Sequence, residues 1–201
     1  MVFDPHDDAQ SGAASKTQTN VLSMAASAIA VALLWVLLFR LNQWAFSFFE
    51  VTVFITWIFL PAAIRMLAVM VCDWAGALGL FAGALFTNQT DSTGDLSDGL
   101  VLAFLSATGP LVAFWLCTRW LSLPATLTGL TARQLLVFAA VGALLNAVPH
   151  NIYFYISGRM TNPIEGLLPM VLGDFLGIIV VLYAVSLALR LIFKGAASQR
   201  V

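Results

Sequence analysis

Val21-Leu-Ser-Met-Ala-Ala-Ser-Ala-Ile-Ala-Val-Ala-Leu-Leu-Trp-Val-Leu-Leu-Phe39 runs for nineteen residues without a charge and is closed by Arg40, Asn42 and Gln43. As a helix rising about 1.5 Å per residue it covers roughly 28 Å, close to the ~30 Å hydrocarbon core of a bilayer. The run shows no alternation of period two, which sets it apart from the ~10-residue strands of a membrane barrel. Backbone N–H and C=O groups find no partner in lipid, so the stretch is predicted to be helical.

The rest of the chain repeats this pattern. Of its 201 residues, 61% are hydrophobic and 9% charged, with a mean hydropathy of +0.94. A soluble domain carries about 25% charged residues, so lipid has to face much of this surface. Further apolar stretches cover residues 51–70, 74–87, 100–118, 134–156 and 167–189. The sequence thus predicts an all-α integral membrane protein, a polytopic bundle of about six transmembrane helices over residues 21–193. A disordered tail of residues 1–20 is expected before it, and a short basic tail of 194–201 after it. Asp4, Asp7 and Asp8 replace the basic start of a secretory signal, so the first span is expected to stay as an uncleaved anchor.

Orientation follows from Lys and Arg. With the N-terminus inside, Lys16, Arg65, Arg119, Arg133, Arg190, Lys194 and Arg200 fall on the cytoplasmic side, and Arg40 and Arg159 fall outside. This asymmetry predicts both termini in the cytoplasm of a cell whose plasma or inner membrane holds the protein. The loop with Asp91, Asp95 and Asp98 then faces out. Net charge is −1, which gives no electrostatic reason to bind nucleic acid. The cysteines, Cys72 and Cys117, are read as free packing residues. The histidines are His6 and His150 alone, and no Cys/His spacing suits a metal or a cofactor. No nucleophile–base pair stands out, so catalysis is not expected.

Asp174, in Leu172-Gly173-Asp174-Phe175-Leu176-Gly177, is the most informative residue. A carboxylate at the centre of a membrane helix costs ~2.5–3.5 kcal/mol on insertion scales, so it should face the interior with a partner. His150 lies on the preceding span at a matching depth of about 10 Å and is the expected partner. Asn146 and Asn151 flank it, and Pro149 frees a carbonyl near Asn146. This cluster is expected to be a ligand site or an internal hydrogen-bond clamp. Arg65 and Asp73 flank the predicted inner turn, where Arg65 either pairs with Asp73 or reaches cytoplasmic headgroups. Pro61 is expected to kink its span. Gly79–Gly83 and Gly173–Gly177 each have the four-residue spacing that lets helix backbones approach closely, within the bundle or in a homodimer.

Two stretches together resemble the first family of membrane-associated sensor domains (MASE) of bacterial signalling proteins. One is Trp57-Ile-Phe-Leu-Pro61-Ala-Ala-Ile-Arg65 continuing through Trp74-Ala-Gly76 to Gly83-Ala-Leu-Phe-Thr-Asn88. The other is Leu172-Gly173-Asp174-Phe-Leu-Gly177. The likeness covers residues 51–190 in a standalone form, without an attached kinase or cyclic-dinucleotide domain. It implies a sensory or regulatory membrane module that binds a small ligand or a signalling partner protein. A small-solute transporter, or its membrane substrate-binding subunit, is the competing expectation, because interrupted spans often mark transport sites.

Overall fold

A computed structural model describes the backbone of residues 5–52, 55–91, 95–122 and 131–198, and their side chains except 5–19, 52, 91, 163, 186 and 188–198. Among the described residues the chain is mainly helical, with one short pair of strands. In order it forms α1 (Pro5–Phe46), a 3-10 turn (Ser47–Phe49), β1 (Glu50–Thr52), β2 (Ile55–Thr56), α2 (Pro61–Asp91), α3 (Leu96–Trp120), α4 (Ala132–Ile156) and α5 (Pro163–Ser198). All five helices are long and apolar enough to cross a membrane. α1 starts within the stretch expected to be a disordered tail, and α5 runs into the expected basic tail.

The second span departs most from expectation. Residues 51–70 were to be one helix, but helix begins only at Pro61. From Val51 to Phe59 every residue is β-branched or aromatic, the composition of a strand. Leu60 precedes a proline, which disfavours the helical region, and Pro61 suits a first helical position because it has no N–H to satisfy. β1 and β2 therefore pair as a small antiparallel ladder, Glu50 opposite Thr56 and Thr52 opposite Ile55, and the chain stays non-helical to Leu60.

The expected second and third spans are joined in α2, which is not one rod. Asp73 has φ 50° and ψ −127°, a region that suits glycine. A Cβ at Gly76 would overlap the Ala68 carbonyl. In a straight helix those residues lie about 12 Å apart, so the chain reverses at Asp73. Two arms result, 61–72 and 74–91. Ile64 and Ala68 of the first accordingly pack in one cluster with Leu80 and Ala84 of the second.

The first arm is the axis of the bundle. Ala62, Ala63, Met66 and Met70 pack on Ala113, Cys117, Phe138 and Ile178 from α3, α4 and α5. Ile64, Ala68 and Val69 pack on Val31, Trp35, Ala103 and Ala107 from α1 and α3. From Pro61 to Met70 every residue of this arm is buried except the half-buried Leu67. Both cysteines are free.

The two glycine pairs receive different neighbours. A Cβ at Gly79 or Gly83 would strike α1 at Ala28, Val31 and Trp35, so this pair seats a helix as predicted. A Cβ at Gly173 or Gly177 would strike the backbone of Thr56 and Phe59. This second pair seats the extended segment, and the Phe59 N–H donates to the Gly173 carbonyl at 2.9 Å. Gly177→Ala should therefore destabilise the bundle by about 1–3 kcal/mol through overpacking against rigid backbone. Leu187→Ala, at an exposed position, should cost less. Thermal melts in detergent compare the two.

Candidate functional site

Reversal at Asp73 sets the depth of Arg65. Eight residues before the turn, it lies about 12 Å inside the bundle. It is 5% exposed, whereas Asp73 is exposed at the turn. The expected Arg65–Asp73 pairing, and the alternative of Arg65 reaching headgroups, are therefore both replaced. Arg65 Nη1 donates to Asp174 Oδ2 at 2.9 Å, an ion pair buried between α2 and α5. Its guanidinium carbon stands 5.2 Å from the Trp35 ring centre and 5.0 Å from that of Phe59. Ring faces at this distance attract a cation, most strongly where water is excluded.

Asp174 is 2% exposed, turned inward as its charge requires. Its second partner is Asn146, whose Nδ2 donates to the same Oδ2 at 2.6 Å. Asp174 and Asn146 thus meet as members of one cluster, but the expected Asp174–His150 hydrogen bond is not formed. The His150 Nδ1 lies 2.8 Å from the main-chain carbonyl of Asn146, one turn back on α4. A carbonyl only accepts, so Nδ1 donates in this contact, and Nε2 lies 3.4 Å from Ser106 Oγ. Depth matching on neighbouring helices was right, but the two side chains found closer partners. Asn151 is also apart: its Nδ2 donates to the Ala147 carbonyl and to Met170 Sδ.

Above this cluster a cleft opens at the end of the bundle that carries the β-hairpin. Its cavity volume is about 60 Å³, open at the mouth. Arg65, Asp174, Ser106 and His150 reach it from four elements, and Trp35, Phe39, Phe59 and Phe154 supply apolar wall. Polar groups near the mouth include Asn42, Asn88 and Glu50. An apolar wall with a few convergent polar groups is the usual lining of a small-molecule site. Two buried polar atoms around the floor lack a hydrogen-bond partner, Arg65 Nε and Asn146 Oδ1.

Further supports hold the walls. Asn42 Oδ1 accepts from the Leu60 N–H at 2.8 Å, which ties α1 to the extended segment just before the first arm. Trp35 Nε1 donates to Thr87 Oγ1 at 3.1 Å. At the rim, Asp98 accepts from Tyr153 Oη and from Arg159 Nη2, the latter at 2.5 Å, and clamps α3 to the end of α4. Sequence reading assigned Arg65 to the membrane surface and missed Ser106, Asn42 and Trp35 as site residues. Leu60-Pro61 and the β-branched run were the signals that could have moved Arg65 inward.

Truncating one partner of a buried ion pair strands the other. Asp174→Ala should cost about 3–5 kcal/mol, while Arg65→Met with Asp174→Leu should recover most of that loss. Arg65→Met and Asp174→Leu singly, measured with the double variant by reversible unfolding in detergent, should show strong non-additivity. Comparison with protein-family models, with curated proteins and with solved structures returns no match.

Proposed function

We propose that the protein is a multi-pass component of the cell's plasma or inner membrane that binds a small ligand in this cleft and converts binding into a helix shift. The observation that carries the reading is the cleft floor, where a buried cation, its Nε unpaired, lines an open cleft with polar side chains from three other helices. Side chains from the first arm, α3, α4 and α5 converge there, so an occupant would act on four elements together. Resemblance to a sensor domain points the same way, toward a sensory or regulatory role.

In this reading the chain crosses the bilayer six times with both termini cytoplasmic. The second crossing is half extended and half helical. Residues 55–60 at about 3.3 Å each and 61–72 at about 1.5 Å each reach roughly 38 Å, enough for a ~30 Å core. With Arg65 inside the bundle, Lys16, Arg119, Arg133, Arg190, Lys194 and Arg200 stand toward the Asp73 end by chain position. Arg40 and Arg159 stand toward the hairpin end. Six against two still favours the Asp73 end inside.

Transport is the second reading, favoured by a broken crossing with a polar site at its break. A small cavity between Met66, Gly142 and Asp174 also lies beside the ion pair, on the side of the first arm away from the hairpin. An inverted repeat of three and three spans would match the second crossing with the fifth. The second is half extended while α4 is helical from end to end, so the halves do not correspond.

Cysteines placed at Ser157 and Ser122 should be labelled by a membrane-impermeant maleimide from outside only and from inside only, respectively. Labelling of Ser157→Cys from the cytoplasmic side would reverse the orientation. A small-molecule melting screen on purified protein should find compounds that raise Tm, because a ligand bound only to the native state adds to stability. Ser106→Trp, which fills the cleft, should abolish the response. Uptake of such a compound into proteoliposomes would favour transport over sensing.

A further inference from the structure

The cleft floor has an open donor on its cation, beside the open acceptors Asn146 Oδ1 and Asp174 Oδ1. Arg65 spends Nη1 on Asp174 and leaves Nε buried and unpaired. Asn42 has its amide oxygen engaged by the Leu60 N–H, which turns its N–H groups toward other partners. Asp174 takes both its bonds, from Arg65 and Asn146, on the single oxygen Oδ2. The guanidinium is therefore held by one bond, although its planar fork matches two carboxylate oxygens.

We propose that the ligand is a small monocarboxylate on an apolar body, whose carboxylate competes with Asp174 for Arg65. This assignment rests on the ligand-binding reading above. A bidentate carboxylate on the Nε edge satisfies the orphaned donor and replaces a one-bond contact with a two-bond one. Its apolar body lies against Phe39, Phe59 and Phe154. Displacing Asp174 opens the contact between the first arm and α5, which gives binding a mechanical output.

Charge balance adds a condition. The titratable groups lining the cleft are Arg65 on the first arm, His150 on α4, Asp174 on α5 and Glu50 on the hairpin; α1, the second arm and α3 contribute none among the described residues. An anion alone would add an uncompensated charge to a buried site. The carboxylate therefore enters with one proton, which rests on the displaced Asp174 or on His150, and the net charge of the floor is unchanged. Affinity should rise as pH falls.

The test uses the full chain in nanodiscs with three probes of one skeleton: phenylacetate, phenylacetamide and phenethylammonium. Phenylacetate should raise Tm in a saturable way, more at pH 6 than at pH 8, and the other two should not. Asp174→Asn, which removes the competitor, should lower the apparent Kd for phenylacetate by about tenfold, since the competent state no longer has to be released from an internal partner. If that variant does not fold, the wild-type comparison of acid and amide decides alone. An equal or larger shift from the amide or the ammonium overturns the carboxylate assignment. Where Ser106→Trp abolishes that shift, ligand binding in the cleft stands with a different chemistry. No shift from any probe overturns the assignment and leaves the ligand-binding reading to the wider screen.

Discussion

A guanidinium placed inside an apolar bundle has to be answered from within it. Arg65 is 5% exposed and too deep to reach a surface, so its charge is met by Asp174, by Asn146 through the shared carboxylate, and by the faces of Trp35 and Phe59. Losing one member of such a set costs more than removing the set together. The contributors stand on α1, the extended segment, the first arm of α2, α4 and α5. One buried charge thereby fixes the mutual placement of most of the fold. In lipid, where apolar surface gives helices little reason to associate, contacts of this kind and close packing carry the assembly.

The extended segment is the second demand on the interior, since non-helical backbone at membrane depth is tolerated only when protein covers it. Its N–H groups are placed one by one: Trp57 on the Phe49 carbonyl, Phe59 on Gly173, and Leu60 on the side chain of Asn42. Gly173 and Gly177 let this backbone lie directly on α5, where a side chain would hold it off. A spacing usually associated with helix pairs here serves a helix and a strand-like segment. Close contact of that segment with α5 also brings Phe59 beside Arg65, so the same two glycines shape the cleft.

Much of this architecture was legible in the sequence. Uncharged runs of spanning length gave α1, α3, α4 and α5, because in lipid length and hydropathy decide helix almost unaided. Asp174 announced itself as an interior residue by its cost, and Asn146 was one of the polar residues on the preceding span that could meet it. Hydropathy could not show that residues 51–52 and 55–60 are not helical, because a strand and a helix of the same composition have the same transfer energy. The error then carried forward. Read as helix from residue 51, Arg65 falls at the inner surface; read as extended to Leu60 and reversing at Asp73, it falls at mid-depth. His150 was given to Asp174 because depth along a helix says nothing of azimuth, and its Nδ1 was satisfied instead by a carbonyl on its own helix.

Arg65 and Asp174 are separated by 109 residues. A ribosome adding about 5–20 residues per second needs roughly 5–20 s to make that stretch, so the cation exists for that long before its counter-charge has been synthesised. During this time the first arm cannot occupy its final position, since neither the carboxylate nor the glycine surface for residues 56–60 has yet left the ribosome. The arm is too short to span alone, and its arginine can be held near a headgroup in the meantime. Insertion of the axis of the bundle is thus a late event in the life of the nascent chain, completed only when α5 arrives, although the axis lies in the first half of the sequence.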